Sequence, residues 1–338
     1  MTRLSDGSAQ PLATRYDTAL VDLDGVVYVG PDAVVGAADS LARAGALGMR
    51  VAFVTNNANR TPEAVAHHLG DLGVPAAAAD VVTSAQAAAR LVSAEVPDGA
   101  RVLVVGGEGL HAALTELGLR PVRSADEDPA AVVQGFAPQV GWELLTEGVI
   151  AVRRGLPWIA SNLDRTIPTA RGLAPGNGAL VGVIAAATGA EPVVAGKPEL
   201  ALHEEAMRRT GARHPLVVGD RLDTDIEGAN RAGVDSLLVL TGVATPRDLV
   251  CAAPDLRPSY LAENLDSGLL TPHAAVQEND GTWTCAGWRA SRADERWQLS
   301  GSGARADALR ALCVGVWSSG ERTDPSGVAE ALDQLPGR

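Results

Sequence analysis

Short, nearly unbroken apolar runs recur along this chain, each followed by a stretch with helical spacing. The run Ala19-Leu20-Val21 ends in Asp22, and others cover residues 51–54, 101–105, 131–134, 158–160, 193–195, 216–218 and 236–240. A helical pattern over residues 37–44 stops at Gly45. Another opens at Thr61-Pro62-Glu63, with a hydroxyl to cap it and proline at the first helical position. Strands alternating with helices imply βαβ units and a parallel sheet. Strands that are apolar throughout suit a sheet covered on both faces. Such sheets bind ligands at the carboxyl ends of their strands, so the polar residues after each run are the candidates for chemistry.

Four clusters stand at those ends. Asp22-Leu23-Asp24-Gly25 puts two carboxylates at i and i+2, with a glycine free to turn sharply. Close carboxylates repel and call for a cation, and Mg²⁺ takes oxygen ligands while keeping waters. In Thr55-Asn56-Asn57, a hydroxyl and backbone N–H groups offer donors to phosphoryl oxygens. Taken alone, an Asx-type turn explains that stretch better. Gly196-Lys197-Pro198-Glu199 places a cation at a helix start, against the helix dipole. Lys197 is also the one lysine in a chain that otherwise uses arginine. Gly219-Asp220-Arg221-Leu222-Asp223-Thr224-Asp225 crowds acids at one strand end, which is costly without a cation. Each signal is modest, and their common position makes them strong together.

Composition narrows the partners. The net charge is −13 with no long basic run, which argues against nucleic acid and against a polybasic membrane footprint. No apolar run reaches the roughly 20 residues of a membrane span. Residues 1–15 lack the pattern of a signal peptide and are expected to be a short mobile leader. The cysteines, Cys251, Cys285 and Cys313, have no metal spacing and fit reduced thiols in the cytoplasm.

The four clusters, in this order, resemble the motifs of the haloacid dehalogenase superfamily. The wide gap between Thr55 and Lys197 resembles the branch with an α/β cap inserted there. That branch includes phosphatases of 4-nitrophenyl phosphate, phosphoglycolate, glycerol phosphate and pyridoxal phosphate. Asp24-Gly25-Val26-Val27-Tyr28, Asn162-Leu163-Asp164, Pro175-Gly176-Asn177-Gly178 and Gly196-Lys197-Pro198 extend the likeness over residues 17–270. The resemblance implies an α/β fold: a Rossmann-like parallel-sheet core (residues 14–86 and 190–270) with a large α/β cap (87–189) inserted between the second and third motifs.

It also implies a Mg²⁺-dependent phosphatase of a small phosphate ester. Asp22 is then the nucleophile that forms an aspartyl-phosphate, and Asp24 the general acid and base. Thr55, the Asn56 backbone and Lys197 bind the phosphoryl group. Asp22, the Asp24 carbonyl and Asp220 hold the metal, with Asp225 behind them. Asn162, Asp164 and Arg165, after a cap strand, are candidates to face the substrate. A loop that merely supports the turn at residues 175–178 explains them equally well. Glycerol 3-phosphate leads among substrates through likeness to enzymes of high-G+C bacteria, and relatives' pairing through their caps implies a homodimer unless the appendage blocks that surface.

Two segments need readings of their own, the first a Gly-rich turn that in this branch merely starts a cap helix. Residues 106–112 contain a GxGxxA pattern between a strand and a helix, the form of a dinucleotide fingerprint, with Asp126 near the distance of its acid. An NAD-binding oxidoreductase is therefore the rival reading. Residues 271–338 read as a small ββ(β)α appendage, with Asn279-Asp280-Gly281 as a hairpin turn, a further strand over 296–299 and a helix over 307–317. A packing role against the core is expected of it.

Overall fold

A computed structural model describes residues 3–169, 171–293, 296–319 and 326–337. The chain divides into two compact units, Met1–Val51 with Ala212–Arg338, and Ala52–Gly211.

In the first unit, strands Tyr260–Ala262, Asp235–Val239, Pro215–Gly219 and Thr18–Val21 pair in that order, all parallel. Every residue of Thr18–Val21 is buried, as expected of a strand covered on both faces. Asp22 continues directly from this strand, its N–H donating to the Val218 carbonyl at 2.8 Å. A small antiparallel hairpin, Tyr28–Val29 with Asp32–Ala33, follows Gly25.

The appendage belongs to this unit. It has four antiparallel strands rather than two or three: Gln277–Asn279, Thr282–Cys285, Trp288–Ala293 and Arg296–Gly301. Helices Arg305–Ser318 and Ala329–Asp333 follow. Asp280 (φ 48°) and Gly281 (φ 71°) make the expected hairpin turn, both left-handed as that turn requires. Trp288, Trp297, Leu299, Leu309 and Leu312 share one hydrophobic cluster with Leu222, Ile226, Leu238, Leu240 and Leu261 of the core. The packing role is thus borne out. The mobile leader is not. Leu4 and Leu12 are buried, and Ser8 exchanges backbone hydrogen bonds with His273 at 2.8 Å in both directions.

The second unit holds a five-stranded parallel sheet in the order Val193–Val194, Trp158–Ala160, Ala131–Gln134, Arg101–Val105, Arg120–Val122. Strands Arg50–Thr55 and Val81–Thr83 pair in parallel, with Thr55 opposite Thr83. Helix Pro62–Asp71 is capped as expected, the Thr61 hydroxyl accepting from Ala64 N at 3.3 Å. A hairpin, Thr166–Thr169 with Gly172–Pro175, leads into helix Asn177–Thr188. Among the described residues no helix is long and apolar enough to cross a membrane.

Candidate active site

The first unit gathers acids at the end of its sheet. Asp22 ends one strand, and Asp220 ends its neighbour, Pro215–Gly219. Asp225 returns beside them because residues Leu222–Ile226 form a π-type turn before helix Glu227–Ala232. Carboxylate oxygens of Asp22, Asp220 and Asp225 all lie within 4.8 Å of one another. Asp220 and Asp225 are buried, and Asp22 is half-buried. Three such carboxylates repel in a poorly solvated site, so their donor set fits a hard divalent cation such as Mg²⁺. Asp225, expected behind the ligands, contributes to the same group of oxygens. Asp223 turns away and takes a bidentate pair with Arg221 (3.0 and 2.8 Å), which holds its carboxyl below the usual range.

Glycines give the acids their room. A side chain at Gly25 (φ +83°) would place Cβ 2.3 Å from Asp220 Oδ2, and one at Gly242 would place it at 1.9 Å. At Gly219 it would lie 2.2 Å from Asp225 Cβ. Asp220 Oδ2 accepts from Val243 N at 2.6 Å, and the Thr241 hydroxyl donates to the Gly25 carbonyl at 2.6 Å. Thr241-Gly242-Val243 therefore shapes the site, and the sequence reading passed over it. The available signal was its position, directly after the run 236–240. Asp24 is exposed, next to a bridge that joins it to Tyr28.

The second unit gathers the phosphate-motif residues. Thr55 is buried, and its hydroxyl accepts from Asn57 N at 3.1 Å. The Asn56 amide grips Lys197, accepting from its N–H at 2.8 Å and donating to its carbonyl at 3.1 Å. Lys197 Nζ, also buried, donates to the Val54 carbonyl at 3.1 Å. Asn162 Nδ2 donates to the Asn56 carbonyl at 2.7 Å, and Asp164 Oδ2 accepts from Asn56 Nδ2 at 3.3 Å.

Asn162 and Asp164 thus join this cluster, and the same loop also supports the turn at residues 175–178. Gly178 N donates to the Asp164 carbonyl and Gly176 N to that of Arg165, each at 2.9 Å. Asn177 Nδ2 donates to the Asn162 carbonyl at 2.7 Å. A side chain at Gly176 would meet the Asp164 carbonyl oxygen at 2.2 Å, which explains the glycine there. The Arg165 side chain is exposed.

The dinucleotide reading does not survive this geometry. A Cβ at Gly107 would lie 2.2 Å from Asn59 Oδ1, and one at Gly109 would lie 2.5 Å from the Ala58 carbonyl oxygen. These glycines admit the protein's own 58–60 loop, where a fingerprint glycine admits a pyrophosphate. Asp126 pairs with Arg154 at 3.2 Å.

Comparison with known proteins agrees with the acid cluster. The haloacid dehalogenase-like hydrolase family model matches residues 19–120, and a HAD-hydrolase-like model matches residues 194–267. Residues 285–336 match a GCN5-related N-acetyltransferase like domain, a likeness the sequence reading did not find. The D-glycerol 3-phosphate phosphatase of Mycobacterium tuberculosis is 50% identical over 256 residues, 76% of this chain and 72% of that protein. An acid sugar phosphatase of Staphylococcus aureus is 38% identical over 257 residues, 75% of this chain and 97% of that one. The crystal structure of a glycerol phosphate phosphatase from Mycobacterium tuberculosis in complex with magnesium superposes with a TM-score of 0.87 at 42% identity, covering 96% of this chain and 99% of that chain. With this identity over most of its length, and with its acids gathered at the ends of a parallel sheet, the chain belongs to the haloacid dehalogenase-like hydrolases.

Proposed function

We propose that the protein is a Mg²⁺-dependent phosphatase of small phosphate monoesters, with glycerol 3-phosphate as its substrate. The observation that carries this reading is the Asp22, Asp220 and Asp225 carboxylate group, whose charge a divalent cation offsets. Likeness to the mycobacterial enzyme supports the choice of substrate.

In this reading Asp22 attacks phosphorus and forms an aspartyl-phosphate, releasing the alcohol. Asp24 gives the leaving oxygen its proton, then takes one from the water that hydrolyses the intermediate. Thr55, the Asn56 backbone and Lys197 bind phosphoryl oxygens. Asp22, the Asp24 carbonyl and Asp220 hold Mg²⁺, with Asp225 beside them, and the ion's contribution is to neutralise charge on the phosphoryl group. Residues 14–86 and 190–270 act as the catalytic core, 87–189 as the cap that sets substrate choice through Asn162, Asp164 and Arg165, and 271–338 as the appendage. The protein works in the cytoplasm as a homodimer paired through its caps.

The test is phosphate release from glycerol 3-phosphate, phosphoglycolate and pyridoxal phosphate, with and without Mg²⁺, by wild type and Asp22→Asn. Mg²⁺-dependent release that is fastest from glycerol 3-phosphate and lost in the variant is the expected result. Undiminished release by Asp22→Asn would overturn the nucleophile, and a faster ester would replace the substrate.

A further inference from the structure

The first unit contains a cavity of about 770 Å³ whose walls include none of Asp22, Asp24, Asp220, Asp223 and Asp225. That volume lies within the range of small-molecule sites. Three separated stretches build it: the segment at Arg3, the loop from Asp255 through Arg257 with helix Glu227–Ala232 beneath it, and the last turn of helix Arg305–Ser318. The leader and the appendage thus contribute walls that the core alone lacks.

Its central feature is a fixed pair. Trp317 Nε1 donates to the Val250 carbonyl at 3.1 Å, which sets the indole. The Arg257 guanidinium stacks over that ring, 4.9 Å from its centroid, and its Nε donates to the Ala252 carbonyl at 3.1 Å. Asn230 Nδ2 donates to the Asp255 and Arg257 carbonyls at 2.7 and 3.1 Å, tying down the loop that presents Arg257. The site is built before any ligand arrives.

The charge balance asks for an anion. Arg231 is engaged by Glu227 at 2.5 Å, and Asp255 is exposed on the wall. Among the described residues no carboxylate pairs with the guanidinium of Arg257 or of Arg3, and the Asp6 carboxylate accepts from the Arg3 backbone N–H at 3.0 Å. Burial lowers the Arg257 guanidinium from its usual range, a sign of how far it has left water. A half-buried guanidinium without a counter-ion is costly, and its fork geometry matches phosphate. Trp317 and Val314 add an apolar wall beside it.

We infer that this cavity is a binding site for a nucleoside monophosphate, with the phosphate on Arg257 and Arg3 and the planar base against the Trp317 side. The helix under the site, Glu227–Ala232, runs on from the turn that carries Asp225. The ligand is therefore placed to act as an effector.

The test is calorimetric titration of the full chain with AMP, adenosine and inorganic phosphate, in EDTA so that metal-dependent turnover is off. AMP should bind more tightly than either fragment. Arg257→Gln and Trp317→Leu should each weaken it by about tenfold or more, the loss of a charged hydrogen bond or of a stacking wall. Exposed Arg3→Ala should weaken it less and leaves the fold intact, so it reports on the site even if the other variants unfold. AMP binding in the wild type that all three variants retain overturns the inference, and so does no binding at all. Binding lost in Asp22→Asn but kept in Arg257→Gln would put AMP at the phosphatase acids, and also overturns it. Adenosine or phosphate binding as tightly as AMP would refute the two-part recognition.

Discussion

The side-chain amide of Asn56 holds Lys197 by both sides of its backbone, accepting from N–H at 2.8 Å and donating to the carbonyl at 3.1 Å. Holding the peptide groups on both sides of its Cα fixes where the lysine stem begins. Asn56→Ala removes both bonds and the contact with Asp164. The expected loss is about 1–3 kcal/mol of positioning, a fall of roughly 5- to 150-fold in kcat/KM for glycerol 3-phosphate. Asn56→Asp should not rescue it, because a carboxylate would face Asp164. Wild-type turnover in Asn56→Ala would remove this grip from the account of the site.

Gly242 should be nearly intolerant of a side chain. Its Cβ would come within 1.9 Å of Asp220 Oδ2, so Gly242→Ala must displace the carboxylate. Overpacking of this kind costs about 1–3 kcal/mol, which should raise the Mg²⁺ needed for half-maximal activity by about tenfold. Gly182→Ala, where a Cβ meets nothing within 4 Å, is the control and should stabilise its helix by up to about 1 kcal/mol. Equal Mg²⁺ requirements in wild type and Gly242→Ala would contradict the crowding.

Much of this was legible in the sequence, for physical reasons. A strand buried on both faces leaves an unbroken apolar run, so 101–105, 131–134 and 158–160 were found at their observed ends. Val81–Thr83 runs straight into helix Ser84–Glu95, and Arg120–Val122 carries a charge and a proline, so neither stands out as an apolar run; Tyr260–Ala262 was passed over as well. Asp22, Thr55, Lys197 and Asp220 announced themselves because each follows a run. Gly242 follows one too, but its role lies in the room it leaves, which has no chemical signature. The Asn56–Lys197 grip spans 141 positions, and no local pattern encodes it.

Acid should weaken the first unit through His273. The ring is buried, with Nδ1 accepting from Arg310 Nη2 at 2.9 Å and Nε2 donating to the Gly268 carbonyl at 2.7 Å. Burial lowers its pKa to about 4, from the model-peptide 6.5. A depressed histidine binds fewer protons folded than unfolded between those values. Its contribution is present above pH 6.5 and is lost as pH falls towards 4, up to about 3 kcal/mol. Melting temperatures measured from pH 7 to pH 4 should therefore fall faster for wild type than for His273→Gln. Parallel curves would mean that His273 does not titrate in this way.

Leu312 tests whether the appendage is an independent body or part of the core. It is fully buried in helix Arg305–Ser318, within the cluster that also holds Leu238, Leu240 and Leu261. Leu312→Ala should cost about 2–5 kcal/mol, since the cavity is lined from both sides and collapses poorly. If the cluster is one cooperative core, that loss is felt in the parallel strands. Backbone amides of Asp235–Val239 and Tyr260–Ala262 should then exchange hydrogen faster, together with those of the appendage. The second unit, built around a separate cluster with Leu103, Val132 and Ile184, should keep its protection. An independent appendage would instead show faster exchange only within residues 271–338, leaving the strands beneath unchanged. The Arg310 bond to the Leu261 carbonyl, at 2.6 Å, and the Trp317 bond to Val250 argue for the first outcome, because each would break if the appendage opened alone.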